Sequence, residues 1–194
     1  MKKFLAVLLV VLSGAFALFA DDVADVKAVI VKDLELSAKG DFAGAFAFYA
    51  PDHRETDPDG DTLSYEMCKL MILSLDGKHP EEFMLLAAIA KNKGAMPPPE
   101  TMPMIRQAAR DPEVIKKYKE FISEVIADTK AAAALQIKTL EFVSVKVDGG
   151  LAVAVIEYDS KDDETGKVRR EIETISLRRT GGAWLIYRSV SKYK

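Results

Sequence analysis

From residue 137 to the end, the chain alternates apolar and polar residues, and glycine-rich turns interrupt this alternation. The hydrophobic period is close to two over four segments: 140–147, 151–158, 168–179 and 183–190. Asp148-Gly149-Gly150 separates the first two segments, and Gly181-Gly182 separates the last two. A period of two with turns of this kind is typical of antiparallel hairpins. This quarter of the chain therefore predicts an antiparallel sheet of four strands.

The Gly181-Gly182 turn predicts which side chains of the last two strands share a face. With a tight two-residue turn, Trp184 and Ile186 share a face with Leu177 and Ile175 of the preceding strand, because cross-strand neighbours point the same way. Because all four are apolar, we expect this face to form the core. A change of one residue in the length of the loop would reverse the assignment.

The same alternation carries charged residues onto the apolar face farther from the turn. It places Glu171 and Glu173 on one strand, with Arg188 and Val190 on its neighbour. Charged side chains in such a place must pair or meet water, so Glu173 and Arg188 are candidates for an ion pair. The opposite face, which is either solvated or covered by a second subunit, carries Arg170, Thr174, Ser176 and Arg178.

The first 20 residues have the composition of a secretory signal peptide. Lys2 and Lys3 precede an apolar run over 4–16, and small residues lead to Asp21. The apolar run is shorter than the ~20 residues that a membrane span needs. We therefore expect an exported protein, periplasmic or secreted, whose mature chain of residues 21–194 has no membrane span.

Composition predicts one globular domain in the mature chain. The full sequence of 194 residues is 49% hydrophobic and 29% charged, which suits a domain that buries its own core. Without Lys2 and Lys3 it has 25 basic and 30 acidic residues, so nucleic acid is not an expected partner. Nothing in the sequence indicates a cofactor, and no cluster of histidine, cysteine and acidic residues has metal-ligand spacing.

The single cysteine and the acidic loop at 57–61 each have a structural and a chemical interpretation. Cys68 lies in an apolar run, which favours a buried thiol, since a nucleophile needs a nearby histidine that the sequence does not show. Asp57, Asp59 and Asp61 suggest calcium, but Gly60 and the missing final glutamate break the calcium-loop pattern. A solvated turn is the expectation for this loop.

Before the sheet, apolar residues recur at helical spacing. The first helix is predicted over 22–37, and Asp41 caps a second in which Phe42, Ala45, Phe46 and Tyr49 share a face that Pro51 closes. Further helices are predicted over 64–75, from Pro80 to before Gly94, over 102–110, and from the Asp111-Pro112-Glu113 cap into the sheet. Between the second and third helices, 53–56 is a short extended segment.

Helices followed by a curved antiparallel sheet make an α+β plan that resembles the nuclear-transport-factor-2-like superfamily, the cystatin-like α+β cone. The resemblance covers 22–75 and 137–192. It rests on Lys39-Gly40-Asp41-Phe42 with Ala45, Tyr49-Ala50-Pro51-Asp52, the Asp59-Gly60 turn before Leu63-Ser64, and the ending from Leu177 to Ile186. It implies N-terminal helices packed on a strongly curved sheet. The helical block at 78–135 departs from the pattern and is expected either over the mouth of the cone or outside it.

The resemblance does not imply one function, because the superfamily contains isomerases, dehydratases, scaffold subunits and domains without known activity. The favoured expectation is non-catalytic binding of a small apolar or amphipathic ligand, or of a protein partner. The candidate pocket has Phe46, Tyr49, Trp184 and Ile186 as walls and Glu173 and Arg188 as polar ends. That these residues simply form the core remains an alternative.

Two other functions stay open. An enzyme of proton transfer or hydrolysis could use His53 as base or acid, with Glu55 or Glu173 as its helper, because histidine titrates near neutral pH. A homodimer could form through the open sheet face, where arginine and tyrosine side chains are favoured at interfaces. The candidate residues of that interface are Thr174, Ser176, Arg178 and Tyr187.

Overall fold

The structure, a computed structural model, describes residues 22–75, 78–92, 95–162 and 165–194. The predicted signal peptide lies outside the described residues. Among the described helices, none has the length and apolar character needed to cross a membrane.

The chain forms six helices and one six-stranded sheet in the described residues. The helices are α1 (22–39), α2 (Phe42–Phe46), α3 (Tyr65–Leu75), α4 (Pro80–Lys91), α5 (Met102–Ala108) and α6 (Pro112–Thr139). A 3₁₀ turn at Pro99–Thr101 precedes α5. The long helix α6 begins as predicted: the Asp111 carboxylate accepts a hydrogen bond of 2.8 Å from the Glu113 amide, and Pro112 occupies the first turn.

The sheet contains the four predicted strands and two more. The strands are β1 (Tyr49–Thr56), β2 (Thr62–Ser64), β3 (Glu141–Asp148), β4 (Leu151–Lys161), β5 (Val168–Thr180) and β6 (Ala183–Tyr193), in the order β2-β1-β6-β5-β4-β3. All neighbours are antiparallel except β1 and β6, which are parallel. The sheet is curved, open and mixed, so the prediction of an α+β cone is confirmed. The four predicted strands pair antiparallel as expected, and the parallel pairing of β1 with β6 was not predicted.

Tyr49 was predicted on a helix and instead begins a strand. Helix α2 is capped by Asp41 as expected, but it ends at Phe46, and β1 starts three residues later. Pairing with β6 accounts for this difference, because Tyr49 lies opposite Ile186 in a parallel strand pair. The residues around Tyr49 contain no pattern that predicts this pairing. The helical period of the segment was therefore misleading at its end.

The core lies between α1 and the inner face of the sheet. Val26 and Ile30 of α1 are buried against Leu177, Trp184 and Ile186 of the last two strands. The predicted shared face is confirmed, because Leu177, Trp184 and Ile186 all lie in this core, and Leu177 pairs with Ile186 across the two-residue turn at residues 181–182. Both turn glycines have positive φ, +59° and +87°, a backbone conformation that side chains with a Cβ rarely adopt.

A β-bulge in β6 changes the face of every residue beyond it. Leu177 pairs with Ile186, but the next residue of β5, Ser176, pairs with Arg188, which leaves Tyr187 as an extra residue. Ser189 consequently faces the core, and Arg188 is exposed on the outer face. The prediction that Arg188 and Val190 share a face with Glu173 is therefore wrong.

The helices of the block between α3 and the long strands pack against one another and against α3. The Tyr118 hydroxyl of α6 donates a hydrogen bond of 2.6 Å to the Ser74 carbonyl of α3, and both groups are buried. The Phe83 ring of α4 lies 4.9 Å from the Tyr118 ring and 5.5 Å from the Phe121 ring. These contacts join α3, α4 and α6 and leave two adjoining cavities beneath them.

Candidate functional site

The first cavity lies over the inner face of the sheet and is strongly acidic, so we call it the acidic cavity. Its volume is about 330 Å³, and α1, α6, β1, β4, β5 and β6 all contribute to its wall. Five acidic residues line it: Asp33, Glu55, Asp57, Glu171 and Glu173. No lysine, arginine or histidine of the described chain stands among the lining residues. A ligand here meets negative charge or protonated carboxyl groups.

On β4 and β5, a tyrosine hydroxyl joins two of these carboxyl groups. The Tyr158 hydroxyl lies 3.1 Å from Glu171 Oε1 and 3.0 Å from Glu173 Oε2. One hydroxyl carries one proton and can donate to only one carboxylate at a time. Both contacts are therefore satisfied together only when one carboxyl group is itself protonated and donates to the phenol oxygen.

Glu173 has the environment of a group that holds a proton near neutral pH. Burial raises its pKa to about 7, and the nearby charges of Glu55 and Glu171 act in the same direction, while hydrogen bonds from Ser189 and Tyr158 oppose the shift. Burial also raises the pKa of Tyr158, so this phenol stays protonated.

A second acid–tyrosine pair lies on α1 and β1. The Tyr49 hydroxyl donates a hydrogen bond of 3.1 Å to Asp33 Oδ2. Burial raises the pKa of Asp33 to about 7, with the Tyr49 hydrogen bond acting against the shift and the charges of Glu173 and Glu55 adding to it. Asp33 of α1 and Glu173 of β5 thus line the same cavity, and each forms a hydrogen bond with a tyrosine hydroxyl.

The second cavity lies under the helical block and is apolar, so we call it the apolar cavity. It has a volume of about 670 Å³, and residues of α2, α3, α4 and α6 form most of its wall. The apolar lining residues are Phe42, Ala45, Phe46, Leu63, Met71, Ile72, Leu75, Phe83, Leu86, Ala87, Phe121, Ile122 and Val125. Met71 is 41% exposed and Phe121 is 50% exposed, so these two residues lie where the cavity meets solvent.

The two cavities adjoin along one wall. Asp33, Ser37, Tyr49, Glu55 and Thr129 line both of them. Helix α6 contributes to both cavities, with Thr129, Ala132 and Ala133 over the acidic one and Phe121, Ile122 and Val125 over the apolar one. Residues of the inserted block thus contribute to the walls of both cavities.

The structure brings together four of the six predicted pocket residues. Tyr49, Glu173 and Ile186 line the acidic cavity, and Phe46 lines the apolar cavity with its ring stacked on Tyr49 at 5.7 Å. Trp184 instead lies in the core and borders a separate groove between α1 and the 181–182 turn.

The sixth predicted residue, Arg188, is exposed on the outer face, so the predicted ion pair between Glu173 and Arg188 does not form. The bulge at Tyr187 is the reason, because it turns Arg188 away from Glu173. The acidic cavity consequently loses the one cation that sequence reasoning had assigned to it.

His53 and Glu55, the residues predicted for catalysis, lie on β1 beside the site. Glu55 lines both cavities, whereas His53 is 1% exposed and lies behind the wall rather than in it. The His53 ring stands edge-on to the Tyr49 ring at 4.5 Å, and neither of its nitrogens has a hydrogen-bond partner among the described residues.

Cys68 of α3 is the third member of a cluster with His53 and Glu55. One ligand atom from each of the three side chains lies within 4.8 Å of the other two. Burial raises the pKa of the Cys68 thiol to about 11. Cys68 therefore does have a histidine nearby, namely His53. The two residues are 15 positions apart in the sequence, and the packing of α3 on β1 brings them together.

Sequence reasoning missed Asp33 and Tyr158 as site residues, although each carries a recognisable pattern. Asp33 lies three residues after Ile30 and seven after Val26, a position where the helical period calls for an apolar side chain. Tyr158 continues the buried alternation of Ala154 and Ile156 on β4. A polar group at a core position of an amphipathic pattern was the feature that could have identified both.

The residues of the 57–61 loop form a self-contained turn at the edge of the acidic cavity. The Asp57 carboxylate accepts hydrogen bonds of 3.0 Å and 2.9 Å from the Asp59 and Asp61 amides. Gly60 has a φ of +93°, which suits glycine at this turn. The loop thus has the turn geometry that its composition predicts.

Comparison with solved structures identifies the fold. A nuclear-transport-factor-2-like protein with a cystatin-like fold from Novosphingobium aromaticivorans superposes with a TM-score of 0.51 at 14% identity, covering 94% of this chain and 87% of that one. A nuclear-transport-factor-2-like protein of unknown function from Silicibacter pomeroyi has a TM-score of 0.45 at 14% identity, over 91% of this chain and 98% of its own. A ketosteroid isomerase-like protein from Erwinia carotovora has a TM-score of 0.42 at 13% identity, over 89% and 95%.

The chain therefore has the nuclear-transport-factor-2-like fold, the cystatin-like cone, and the predicted resemblance is confirmed at the level of the fold. No family model matches the sequence, and no curated protein matches it. At these identities the similarity defines architecture alone, so function has to be argued from the two cavities.

Proposed function

We propose that this protein binds a small amphipathic molecule whose apolar chain occupies the apolar cavity and whose cationic head group occupies the acidic cavity. The observation that carries the proposal is the shared wall between two chambers of opposite character. Ligand sites in proteins are typically apolar clefts in which a few polar groups fix the orientation. Here the polar groups are concentrated at one end.

The acidic lining favours a cationic head over an anionic one. An ammonium group placed among Asp33, Glu55 and Glu173 would form charge-assisted hydrogen bonds, which contribute roughly 1.5–3 kcal/mol each. An anionic head would instead keep these carboxyl groups protonated or repel them. The ligand class that fits is therefore an alkyl amine or a larger amine with an apolar body.

Three probes of equal chain length test this preference by isothermal titration calorimetry: decylammonium, decanol and decanoate. We expect decylammonium to bind roughly 10-fold to 100-fold more tightly than decanoate, from one or two charged hydrogen bonds. Its affinity should rise with pH through about 7, because Asp33 and Glu173 ionise there. Equal affinity for the amine and the carboxylate, or no binding of any probe, would refute the proposal.

Matched variants locate the head and the tail. Glu173→Gln should weaken decylammonium binding and leave decanol binding nearly unchanged, because it removes a charge but keeps the side-chain size. Leu86→Trp should weaken both probes, because it fills part of the apolar cavity. Glu157→Gln is the control, since Glu157 pairs with Lys194 and Arg170 away from both cavities.

Proton-transfer catalysis in the same cavity is the second candidate function. It is favoured by two carboxyl groups, Asp33 and Glu173, that have a pKa of about 7 and face one cavity. A pKa near the working pH suits general acid–base catalysis. The ionised group would accept a proton from a carbon acid while the protonated group donates a hydrogen bond to the carbonyl oxygen. The geometry thus moves this alternative from His53 to Asp33 and Glu173.

Deuterium exchange distinguishes an enzyme from a binding protein. A methyl alkyl ketone in heavy water should exchange its α-protons faster with the protein than with buffer, and Asp33→Asn should abolish the acceleration. Glu157→Gln should retain it. If the wild-type protein binds the probes of the first experiment without accelerating exchange, binding stands and catalysis of this kind is refuted.

A further inference from the structure

Neither proposed function uses His53 or Cys68, and only Glu55 of this three-residue cluster also serves the proposed amine site. Strand β1 places His53 and Glu55 two residues apart, and α3 brings Cys68 over them. His53 Nε2 lies 3.9 Å from Glu55 Oε2, and the ligand atoms of all three residues lie within 4.8 Å of one another. Nitrogen, oxygen and sulfur donors thus converge on one point beside the cavity wall.

His53 gives this cluster an independent indication of a ligand. Its side chain is buried, and both ring nitrogens lack a hydrogen-bond partner in the described part of the chain. A buried polar group left unpaired is costly, and most such groups in folded proteins have a partner. The edge-on contact with Tyr49 holds the ring in place without pairing either nitrogen.

We propose that His53, Glu55 and Cys68 bind a divalent transition-metal ion of the zinc class through imidazole nitrogen, carboxylate oxygen and thiolate sulfur. On binding, the thiol proton leaves to solvent and the sulfur takes its place in the coordination sphere. Imidazole and thiolate favour zinc-class ions, whereas calcium and magnesium favour sites built from oxygen alone.

The distances suit tetrahedral coordination after small side-chain rotations. Zinc lies about 2.0 Å from nitrogen or oxygen and about 2.3 Å from sulfur, which places neighbouring donors roughly 3.3–3.6 Å apart. The separation of 3.9 Å between His53 and Glu55 is already close to this range. Glu55 also has a side chain that is 44% exposed, so it can move without disturbing the core.

The fourth coordination position would face the cavities. Glu55 lines both chambers and Cys68 lines the apolar one, while His53 approaches from behind the wall. Three protein ligands with one open position are typical of zinc sites that bind water or substrate rather than of closed structural sites. The site stands on its own three residues and does not depend on the proposed amine ligand.

Cobalt titration tests the site directly. The purified protein, freed of metal with a chelator under reducing conditions, is titrated with Co²⁺ and then with Zn²⁺. We expect one Co²⁺ per chain, a near-ultraviolet band from thiolate-to-cobalt charge transfer, and loss of that band when Zn²⁺ displaces cobalt. The absence of the thiolate band in the wild-type protein would overturn the proposal.

Single substitutions assign the ligands. Cys68→Ser should abolish the charge-transfer band, and His53→Ala and Glu55→Gln should each weaken Co²⁺ binding by more than about 100-fold, since loss of a supporting residue alone costs 10-fold to 100-fold. His79→Ala, which changes the other histidine, should bind as the wild type does. A band that survives Cys68→Ser, or affinity unchanged in Glu55→Gln, would refute this ligand set. If His53→Ala does not fold, the other two variants still decide the outcome.

Discussion

Replacing Glu173 with glutamine should make the stability of this protein less dependent on pH. In the folded state burial raises the pKa of Glu173 from 4.5 to about 7. Because the folded pKa lies above that of the unfolded chain, the folded protein binds more protons between about pH 4.5 and about pH 7. The contribution of Glu173 to the free energy of unfolding is therefore most favourable at the acidic end of this window, and it declines as the pH rises towards 7.

The size of the effect follows from the shift. Each pKa unit corresponds to 1.36 kcal/mol, so a rise from 4.5 to about 7 destabilises the charged form by about 3 kcal/mol. This is an upper limit, since Glu173 lines a cavity wide enough for water, which lowers the cost of the charge. Glu173→Gln keeps an acceptor for the Tyr158 hydroxyl and removes the charge. The free energy of unfolding of this variant should equal that of the wild type at about pH 4.5 and exceed it by at most about 3 kcal/mol above pH 7.

Urea denaturation monitored by circular dichroism, at several values between about pH 5 and about pH 8, measures this difference. Glu157→Gln is the control with opposite sign: hydrogen bonding from Lys194 lowers the pKa of Glu157, so its contribution is present near neutral pH and is lost as the pH falls. A difference between Glu173→Gln and wild type that stays constant across the range would refute the reasoning.

Three further predictions concern stability and assembly. Leu177→Ala should cost about 2–5 kcal/mol in urea denaturation, because Leu177 is fully buried in the core, and a smaller loss would contradict that packing. Arg178→Ala should cost no more than about 1 kcal/mol in the same assay, because its ion pair with Asp52 is exposed to solvent; a larger loss would show a structural role. Homodimerisation through the outer sheet face remains a prediction, and light scattering that finds only monomer at high micromolar concentration would count against it.

The sequence was most informative where local chemistry determines the structure. The Gly181-Gly182 turn sets the register of the hairpin it closes, which is why the shared face of Leu177 and Ile186 was predictable. The cap at Asp111 likewise marked the start of α6. In both places neighbouring residues alone decide the conformation.

Prediction failed where contacts between distant segments decide the structure. One extra residue at Tyr187 reversed the faces beyond it, and no feature of the sequence marks that bulge. The parallel pairing of β1 with β6 likewise gave Tyr49 a strand conformation that its helical spacing did not indicate. Both events affect the acidic cavity: the bulge keeps Arg188 out of it, and the parallel pairing places the Tyr49 hydroxyl against Asp33.

Glu55 connects the proposed amine site with the proposed metal site, because one carboxylate cannot serve both fully. It lines the acidic cavity, and its charge adds to the electrostatic effect on Asp33 and Glu173. A bound divalent ion would take up this carboxylate and place positive charge beside the head group of the ligand.

We therefore expect saturating Zn²⁺ to weaken decylammonium binding, and decylammonium to weaken Zn²⁺ binding by the same factor, since coupling between two sites is reciprocal. Calorimetric titrations in both orders measure the two factors. Glu55→Gln should remove most of the coupling, and independent binding in the wild-type protein would show that the two sites do not share this residue.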